Sequence, residues 1–345
     1  MKIPELNIGG LIAKVPIIQG GMGIGVSGSQ LAAAVACEGG IGIIASVNIG
    51  YREPDFYKDT HSANIRALKA EIRKVRELAP KGIIGVNIMV ATSHYGETVR
   101  AAVEEGIDLI ISGAGLPLEL PEYVKGSETR IVPIVSSAKA AKSILRYWER
   151  HYNRQADAVI VEGTEAGGHL GFSPEILKSE NKPSLIDMIK ELVNHIPIIG
   201  AGGIYTGEDI AECLKAGASG VQMATRFVAT EECDADIKFK EAYIAAGEDD
   251  LVIIVSPVGM PGRALNNNFV KRIALQGDEI KSCLRCLKDC NPKTAPYCIS
   301  TALINGVRGN VDQGLIFAGS NVHRVDKIVS VKALMDELKE GIIRA

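Results

Sequence analysis

The 345-residue sequence has no strong excess of charge and no long uninterrupted hydrophobic run. Its formal net charge is −3, with 38 basic and 41 acidic residues mixed along the chain. That pattern offers no basic stripe for nucleic acid and no polybasic patch for a membrane surface. Every longer apolar run is broken by glycine or a polar residue well short of the length that crosses a bilayer. A small molecule is therefore the expected partner.

A secretion signal and paired cysteines are also missing. The opening residues MKIPELNIGG lack the basic region and apolar core of a signal peptide. Seven cysteines, an odd number, argue against a disulfide framework. We therefore expect a cytoplasmic protein.

The chain does contain a regular alternation of short apolar runs and stretches with helical periodicity. The helical stretches lie at 62–78, 137–153, 184–195 and 206–218. The apolar runs predict strands at 14–19, 40–46, 82–90, 107–112, 130–136, 156–163, 196–203 and 219–226. This alternation implies a parallel sheet, and eight strands are what an α/β TIM (β/α)8 barrel needs, although an open doubly wound sheet alternates in the same way. We predict a barrel over residues 1–230.

The loop after the first strand, QGGMGIGVSG, contains the pattern G-x-G-x-x-G. A dinucleotide-binding turn also needs an acidic residue about 20 positions later, at the end of the second strand. That strand ends GIIASVNIG, without an acid. The loop is better explained as a glycine-rich turn that lets a flat ligand approach the backbone.

Two later loops are typical of a phosphate site. Gly202 and Gly203 lie between an apolar strand and a helix that begins near Thr206. The next strand ends on the small residues Ala224 and Thr225. In a barrel, the loops after the seventh and eighth strands bind phosphate through backbone N–H groups and a helix N-terminus.

The candidate for chemistry is His169, in the segment VEGTEAGGHLGF. A buried strand ends near Glu162 and enters a loop that presents Glu165, Gly168 and His169. Catalytic groups of barrels lie at the carboxyl ends of strands, and an imidazole exchanges protons near neutral pH. The other histidines carry no such pattern. We expect each of them to be solvated, to lack a local pattern or to lie on the opposite face of the barrel; they are His61, His94, His151, His195 and His323.

In chain order, the motifs PIIQGGMG, GVNIMV, GTEAGGHLG, PIIGAGGI and GVQMATRF resemble the nitronate monooxygenase family, once called 2-nitropropane dioxygenases. The FMN-dependent enoyl-ACP reductases share much of this pattern. The resemblance spans roughly residues 14–228 and implies an FMN-bearing TIM barrel with His169 as catalytic base. The implied FMN-binding residues are Gly21, Met22, Asn87, Gly168, Gly202, Gly203, Gln222, Met223, Ala224 and Thr225.

Two positions depart from the family pattern. The family usually has glycine where this chain has Ala224, a change that a phosphate-binding backbone tolerates if its dihedral angles suit alanine. The glutamine that many members place between the histidine loop and the seventh strand is missing from FSPEILKSENKPSLIDM. The substrate side of the pocket is therefore less well defined than the FMN side.

Four cysteines cluster late in the chain, with the spacing C-x2-C-x3-C-x7-C. They are Cys283, Cys286, Cys290 and Cys298. Four thiolates at such spacing suit a [4Fe–4S] cluster or a tetrahedral zinc ion, and free thiols that pack a small subdomain are the third alternative. The cluster lies in residues 231–300, which we predict to form a cap over the flavin. In the same segment, Arg263 is either a partner for an anionic ligand or a surface residue in a turn. Residues 301–345 are predicted to pack back on the barrel as a helical segment.

The resemblance implies an oxidoreductase, most directly a nitronate monooxygenase that converts alkyl nitronates to a carbonyl compound and nitrite. The alternative is an NAD(P)H-dependent FMN reductase of enoyl thioesters, which an iron–sulfur cluster would favour. A flavin-binding accessory protein is a third class, in which His169 would have no evident purpose. A homodimer is the expected assembly.

Overall fold

The computed structural model describes residues 1–193 and 196–345. The strands are β1 (Leu6–Ile8), β2 (Leu11–Ala13), β3 (Ile17–Gln19), β4 (Ile41–Ala45), β5 (Ile83–Met89), β6 (Leu109–Gly113), β7 (Arg130–Val135), β8 (Val159–Glu162), β9 (Gly168–His169), β10 (Ile198–Ala201), β11 (Gly220–Met223), β12 (Leu251–Val255) and β13 (Pro261–Leu265). The helices are α1 (Ser29–Cys37), α2 (Thr60–Leu78), α3 (Tyr95–Glu104), α4 (Leu120–Tyr123), α5 (Ala138–Tyr152), α6 (Pro174–Lys178), α7 (Leu185–Leu192), α8 (Gly207–Lys215), α9 (Thr225–Val228), α10 (Ile237–Ile244), α11 (Asn268–Gln276), α12 (Ile299–Val307) and α13 (Val331–Arg344).

Eight of the strands close into a parallel barrel in the order β10-β11-β3-β4-β5-β6-β7-β8. Each of the eight predicted runs supplies one strand, so the TIM-barrel prediction is confirmed. The strands are apolar on both faces because one face packs inside the barrel and the other against the helices. Ile18 packs in the inner cluster with Ile43 and Ile199, whereas its neighbour Ile17 packs in the outer one.

The four predicted helices correspond to α2, α5, α7 and α8. The expected start near Thr206 is confirmed, because Thr206 and Asp209 form a reciprocal capping box at the start of α8. The last two residues of the predicted 184–195 helix, Asn194 and His195, lie outside the described residues.

The antiparallel hairpin β1–β2 closes the amino-terminal end of the barrel. Its residues Leu6, Ile8 and Ala13 belong to the same buried cluster as Ile18 and Ile160 of the barrel interior. The opposite end, where the carboxyl ends of the strands meet, is therefore the end available to a ligand.

A second, antiparallel sheet lies over this open end, with the strand order β12-β13-β9. Strand β9 comes from the histidine loop, and its His169 pairs with Gly262 of β13. The segment that contributes β12 and β13 has its own buried cluster, which includes Phe269, Tyr297 and Leu315. The histidine loop is thus held between the barrel and this added layer.

The last helix, α13, packs on α8 at a glycine contact. A Cβ atom on Gly207 would lie 2.3 Å from the carbonyl oxygen of Leu338, and one on Gly341 would lie 2.8 Å from Cα of Gly207. An ion pair of 2.9 Å between Arg226 and Glu337 lies nearby. No helix among the described residues combines the length and apolar character needed to span a membrane.

Candidate active site

A cavity of about 430 Å³ opens at the carboxyl ends of the barrel strands. His169 and all ten residues for which the resemblance implies FMN contacts line it. The layer above the barrel also contributes lining residues, among them Val258, Met260 and Leu287, and a C-terminal loop adds Phe317 and Gly319. The cavity is therefore shared between the barrel and the residues that follow it.

Gly21 approaches the side chain of Asn87 closely in the cavity wall. A Cβ atom on Gly21 would lie 2.3 Å from Cβ of Asn87, so no larger residue fits there. The turn is fixed by the N–H of Met22, which donates to Oγ of Ser27 at 2.8 Å. Both Gly21 and Asn87 line the cavity, so this glycine-rich turn brings the backbone to the cavity wall, as the sequence indicates.

Gly202 and Gly203 form a backbone cradle after β10. Their φ angles are +91° and +81°, in the region that favours glycine. A Cβ atom on Gly203 would lie 2.6 Å from Oε2 of Glu165. Ala224 directly precedes the short helix α9 with φ −128°, outside the left-handed region that favours glycine, so alanine can replace the family's glycine there.

Gln222 presents an unpaired polar atom in this part of the cavity. Its Oε1 is fully buried and has no hydrogen-bond partner among the described residues. Buried acceptors are rarely left without a donor, so this atom favours a polar ligand that occupies the cavity. With the glycine cradle, it fits the hydrogen-bonding periphery of a bound FMN.

His169 lies where the loop after β8 meets the added sheet. Its Nε2 is 2.8 Å from Oγ of Ser256, and its ring makes an edge contact with Phe317, with 5.0 Å between ring centroids. Burial lowers the pKa of His169 to about 4, so the imidazole is neutral at pH 7. Proton exchange by His169 during a reaction stays a prediction. Sequence reasoning missed Ser256 and Phe317, because neither lies near His169 in the chain.

Two carboxyl groups frame the histidine loop. Burial raises the pKa of Glu162 to about 8, so this side chain is a neutral acid at pH 7. Glu165 is exposed and accepts a hydrogen bond from Oγ of Ser320 at 3.3 Å. The cavity thus holds an uncharged imidazole on β9 and an uncharged carboxyl group at the end of β8.

Arg263 plays neither of the two roles that the sequence suggested. It is buried on β13, and its guanidinium donates to the carbonyl oxygen of Ala166, three residues before His169. Burial lowers the pKa of Arg263, while the charge of Glu165 acts in the opposite direction. The residue fixes the histidine loop and is not free to bind an anion.

The four clustered cysteines lie in the loop between α11 and α12. Only Cys286 lines the cavity, and its Sγ is 2.9 Å from Oγ of Ser300. Burial raises the pKa of Cys286 and Cys290, and the nearby Cys283 and Cys298 add to the effect. No three of the four sulfurs lie within 4.8 Å of one another. Tetrahedral zinc needs sulfurs about 3.8 Å apart, so the zinc alternative does not fit this arrangement, and the iron–sulfur alternative stays a prediction.

The other described histidines lie away from the cavity lining. His151 stacks on Tyr147, and Nδ1 of His323 lies 3.2 Å from the carbonyl oxygen of Ser320. His61 and His94 stack on each other, an arrangement that the sequence did not indicate.

Comparison with known proteins places the chain in a family. The family model described as "Nitronate monooxygenase" matches residues 6–341. A "Probable nitronate monooxygenase" of Staphylococcus aureus is 29% identical over 313 residues, covering 78% of this chain and 80% of that relative. A 5-hydroxy-7a-methyl-1-oxo-octahydro-1H-indene-4-carboxyl-CoA dehydrogenase of Rhodococcus jostii is 32% identical over 263 residues, covering 76% of this chain. The match spans 66% of that dehydrogenase, about two thirds of its length.

Among solved structures, FabK from Thermotoga maritima is similar over nearly the whole chain. The TM-score is 0.76 at 28% sequence identity, with 96% of this chain and 94% of FabK covered. The fold of this chain thus has a counterpart of known structure over nearly its whole length. From the family match over residues 6–341, the chain belongs to the nitronate monooxygenase family.

Proposed function

We propose that this chain is an FMN-dependent oxidoreductase that oxidises alkyl nitronates. The observation that carries the proposal is His169, an acid–base group buried at the wall of a cavity whose floor is a glycine-rich backbone surface. Both the nitronate monooxygenase family and the FabK enzymes depend on FMN.

The residues present fit FMN. The backbone at Gly21 beside Asn87 would contact the ring system, and the buried Oε1 of Gln222 would accept a hydrogen bond from it. The cradle of Gly202 and Gly203 would hold the phosphate through backbone N–H groups, since no lysine or arginine among the described residues lines the cavity. Bound FMN would supply the electron-accepting chemistry, while the protein orients the substrate and excludes water.

His169 is the group that a nitronate would meet. Ser256 holds Nε2, which leaves Nδ1 to face a ligand. A nitronate is an anion, and a nearby negative charge favours the protonated imidazole. Binding would therefore be accompanied by proton uptake at His169, which supplies the positive charge that the cavity otherwise lacks. With a neutral nitroalkane, the same nitrogen would accept the proton from carbon.

A second candidate is reduction or oxidation of an acyl thioester. The absence of lysine and arginine from the cavity lining favours a reacting group that carries no charge, such as an enoyl thioester. The Rhodococcus relative, named as a carboxyl-CoA dehydrogenase, also supports this candidate. The apolar lining at Met260, Leu287 and Phe317 would suit a hydrocarbon chain.

Anaerobic stopped-flow absorbance of the flavin separates the two candidates. In one arm the protein is mixed with ethyl nitronate, and in the other with NADH or NADPH followed by crotonyl-CoA. The proposal predicts flavin reduction by the nitronate in wild type, with loss of most of that rate in His169→Asn and no change in His151→Asn. Reduction by a nicotinamide with reoxidation by crotonyl-CoA, and no reaction with nitronate, would replace the proposal with the second candidate.

A further inference from the structure

Three side chains outside the cavity form a compact cluster of potential metal ligands. They are His61 in the first turn of α2, His94 just before α3, and Glu97 in the first turn of α3. Their ligand atoms all lie within 4.8 Å of one another. The two histidines are 33 positions apart in the chain and are brought together because α2 and α3 follow adjacent strands of the barrel, β4 and β5.

Both imidazoles point at the same carboxylate. Nε2 of His61 lies 2.6 Å from Oε2 of Glu97, and Nδ1 of His94 lies 3.1 Å from Oε1. The two rings stack, with centroids 3.9 Å apart. Exposed fractions of 31%, 46% and 56% for the three side chains leave one side of the cluster open to solvent.

We propose that His61, His94 and Glu97 bind a divalent transition-metal ion of the zinc class. Two imidazoles and one carboxylate are a ligand set that zinc takes in proteins when one position is left for water. Imidazole ligands favour such ions over magnesium and calcium, which prefer oxygen. The cluster is separate from the four cysteines, none of which belongs to it.

The distances suit such an ion with small side-chain movements. Nitrogen and oxygen ligands at about 2.0–2.1 Å from tetrahedral zinc lie about 3.3 Å apart. The contacts of Glu97 with His61 at 2.6 Å and with His94 at 3.1 Å are close to that separation. The ion would enter on the side where the nitrogens of both rings face Glu97. Glu97 also supplies a negative charge that offsets part of the charge of the ion.

The site would also connect to the loop that carries the cysteines. Ser93, next to His94, donates its N–H to the carbonyl oxygen of Cys286 at 3.1 Å and its Oγ–H to that of Arg285 at 2.7 Å. Cys286 lines the cavity. A bound ion would therefore join the starts of α2 and α3 directly beside a segment that contacts the ligand-binding region.

Cobalt(II) titration of the purified, metal-stripped protein tests the proposal, because its absorbance reports the ligand type. Histidine and carboxylate ligands give weak visible bands, whereas thiolate ligands add an intense near-ultraviolet band. We expect one cobalt ion without the thiolate band, at least about tenfold weaker binding in His61→Ala, His94→Ala and Glu97→Gln, and unchanged binding in His151→Ala.

His151 is a matched control, since it is an exposed histidine that also stacks on an aromatic ring but has no carboxylate partner. Circular dichroism of each variant establishes that it is folded before titration. Wild-type affinity in the three cluster variants, a spectrum that shows only thiolate ligation, or no binding in wild type would each overturn the proposal.

Discussion

The side chain of Ser256 holds His169 through a hydrogen bond of 2.8 Å between Oγ and Nε2. Ser256 follows strand β12 of the added sheet, whereas His169 is in the loop after a barrel strand. The contact engages Nε2, so Nδ1 is the ring nitrogen left for a ligand in the proposed function. It makes Ser256 a positioning residue for the proposed reaction.

Replacing Ser256 should therefore lower turnover without loss of FMN. We expect kcat to fall about tenfold in Ser256→Ala, the equivalent of one hydrogen bond in the transition state, with little change in KM. Ser256→Thr retains the hydroxyl and should recover most of the activity. Equal loss in both variants, or a change confined to KM, would contradict the positioning role.

Glu162 should make the folded protein less stable as the pH rises. Burial raises its pKa to about 8 in the folded state, from an ordinary value of 4.5, so above pH 4.5 the unfolded chain ionises while the folded one stays neutral. Glu162→Gln removes this penalty and should increase the free energy of unfolding by about 3 kcal/mol at pH 7.

The measurement is urea unfolding at pH 4 and at pH 7 with equal flavin content. Wild type and Glu162→Gln should differ in how much the free energy of unfolding changes between these pH values. The control Glu180→Gln, at an exposed position, should behave as wild type. A Glu162→Gln effect that does not change with pH would show that Glu162 is ionised in the folded protein.

His169 has the opposite dependence. Burial lowers its pKa to about 4, below the ordinary 6.5, so its protonation in the unfolded chain destabilises the protein as the pH falls from 6.5 towards 4. In His169→Asn, the loss of unfolding free energy over this interval should be smaller than in wild type. The urea midpoints of wild type and His169→Asn are measured at pH 7 and at pH 5. An equal change in midpoint between these pH values in the two proteins would refute the prediction.

The Gly21 surface should be needed for FMN retention. In Gly21→Ala, the new methyl group would lie 2.3 Å from Cβ of Asn87 and force the floor of the cavity to move. We expect purified Gly21→Ala to lose most of its flavin absorbance relative to protein, while Gly247→Ala, where the nearest atom is 3.3 Å away on a side chain, retains it. Full flavin content in Gly21→Ala would place the flavin elsewhere.

Thiol reactivity tests the state of the cysteine loop. Cys37 and Cys283 are exposed, whereas burial raises the pKa of Cys213 and Cys233 to about 12. Ellman's reagent should therefore modify two thiols rapidly in the folded protein, and one in Cys283→Ser. A single rapidly modified thiol in wild type, together with iron and sulfide in the purified protein, would instead support the iron–sulfur prediction.

The barrel was predictable because its signal is local. Each strand is a short apolar run, and glycines such as Gly202 and Gly203 mark the turns at which the chain passes a ligand. The same local signal identified His169, since glycine flanks it and a buried strand precedes it.

The surroundings of His169 were not predictable, because they depend on contacts between distant parts of the chain. Ser256 is 87 positions from His169 and reaches it only through the pairing of β13 with β9. The sequence around Arg263 is typical of a turn, but the residue lies on strand β13 and is buried. The pKa of His169 follows from this burial, which no local pattern reports.

The pairing of His169 with Gly262 has a consequence for how such enzymes diversify. The histidine loop pairs its backbone with a segment that lies outside the eight-stranded barrel. A chimaera that exchanges residues 231–300 with a relative would therefore also change the immediate environment of the histidine. In this architecture, the barrel and the chemistry at its mouth are not separable modules.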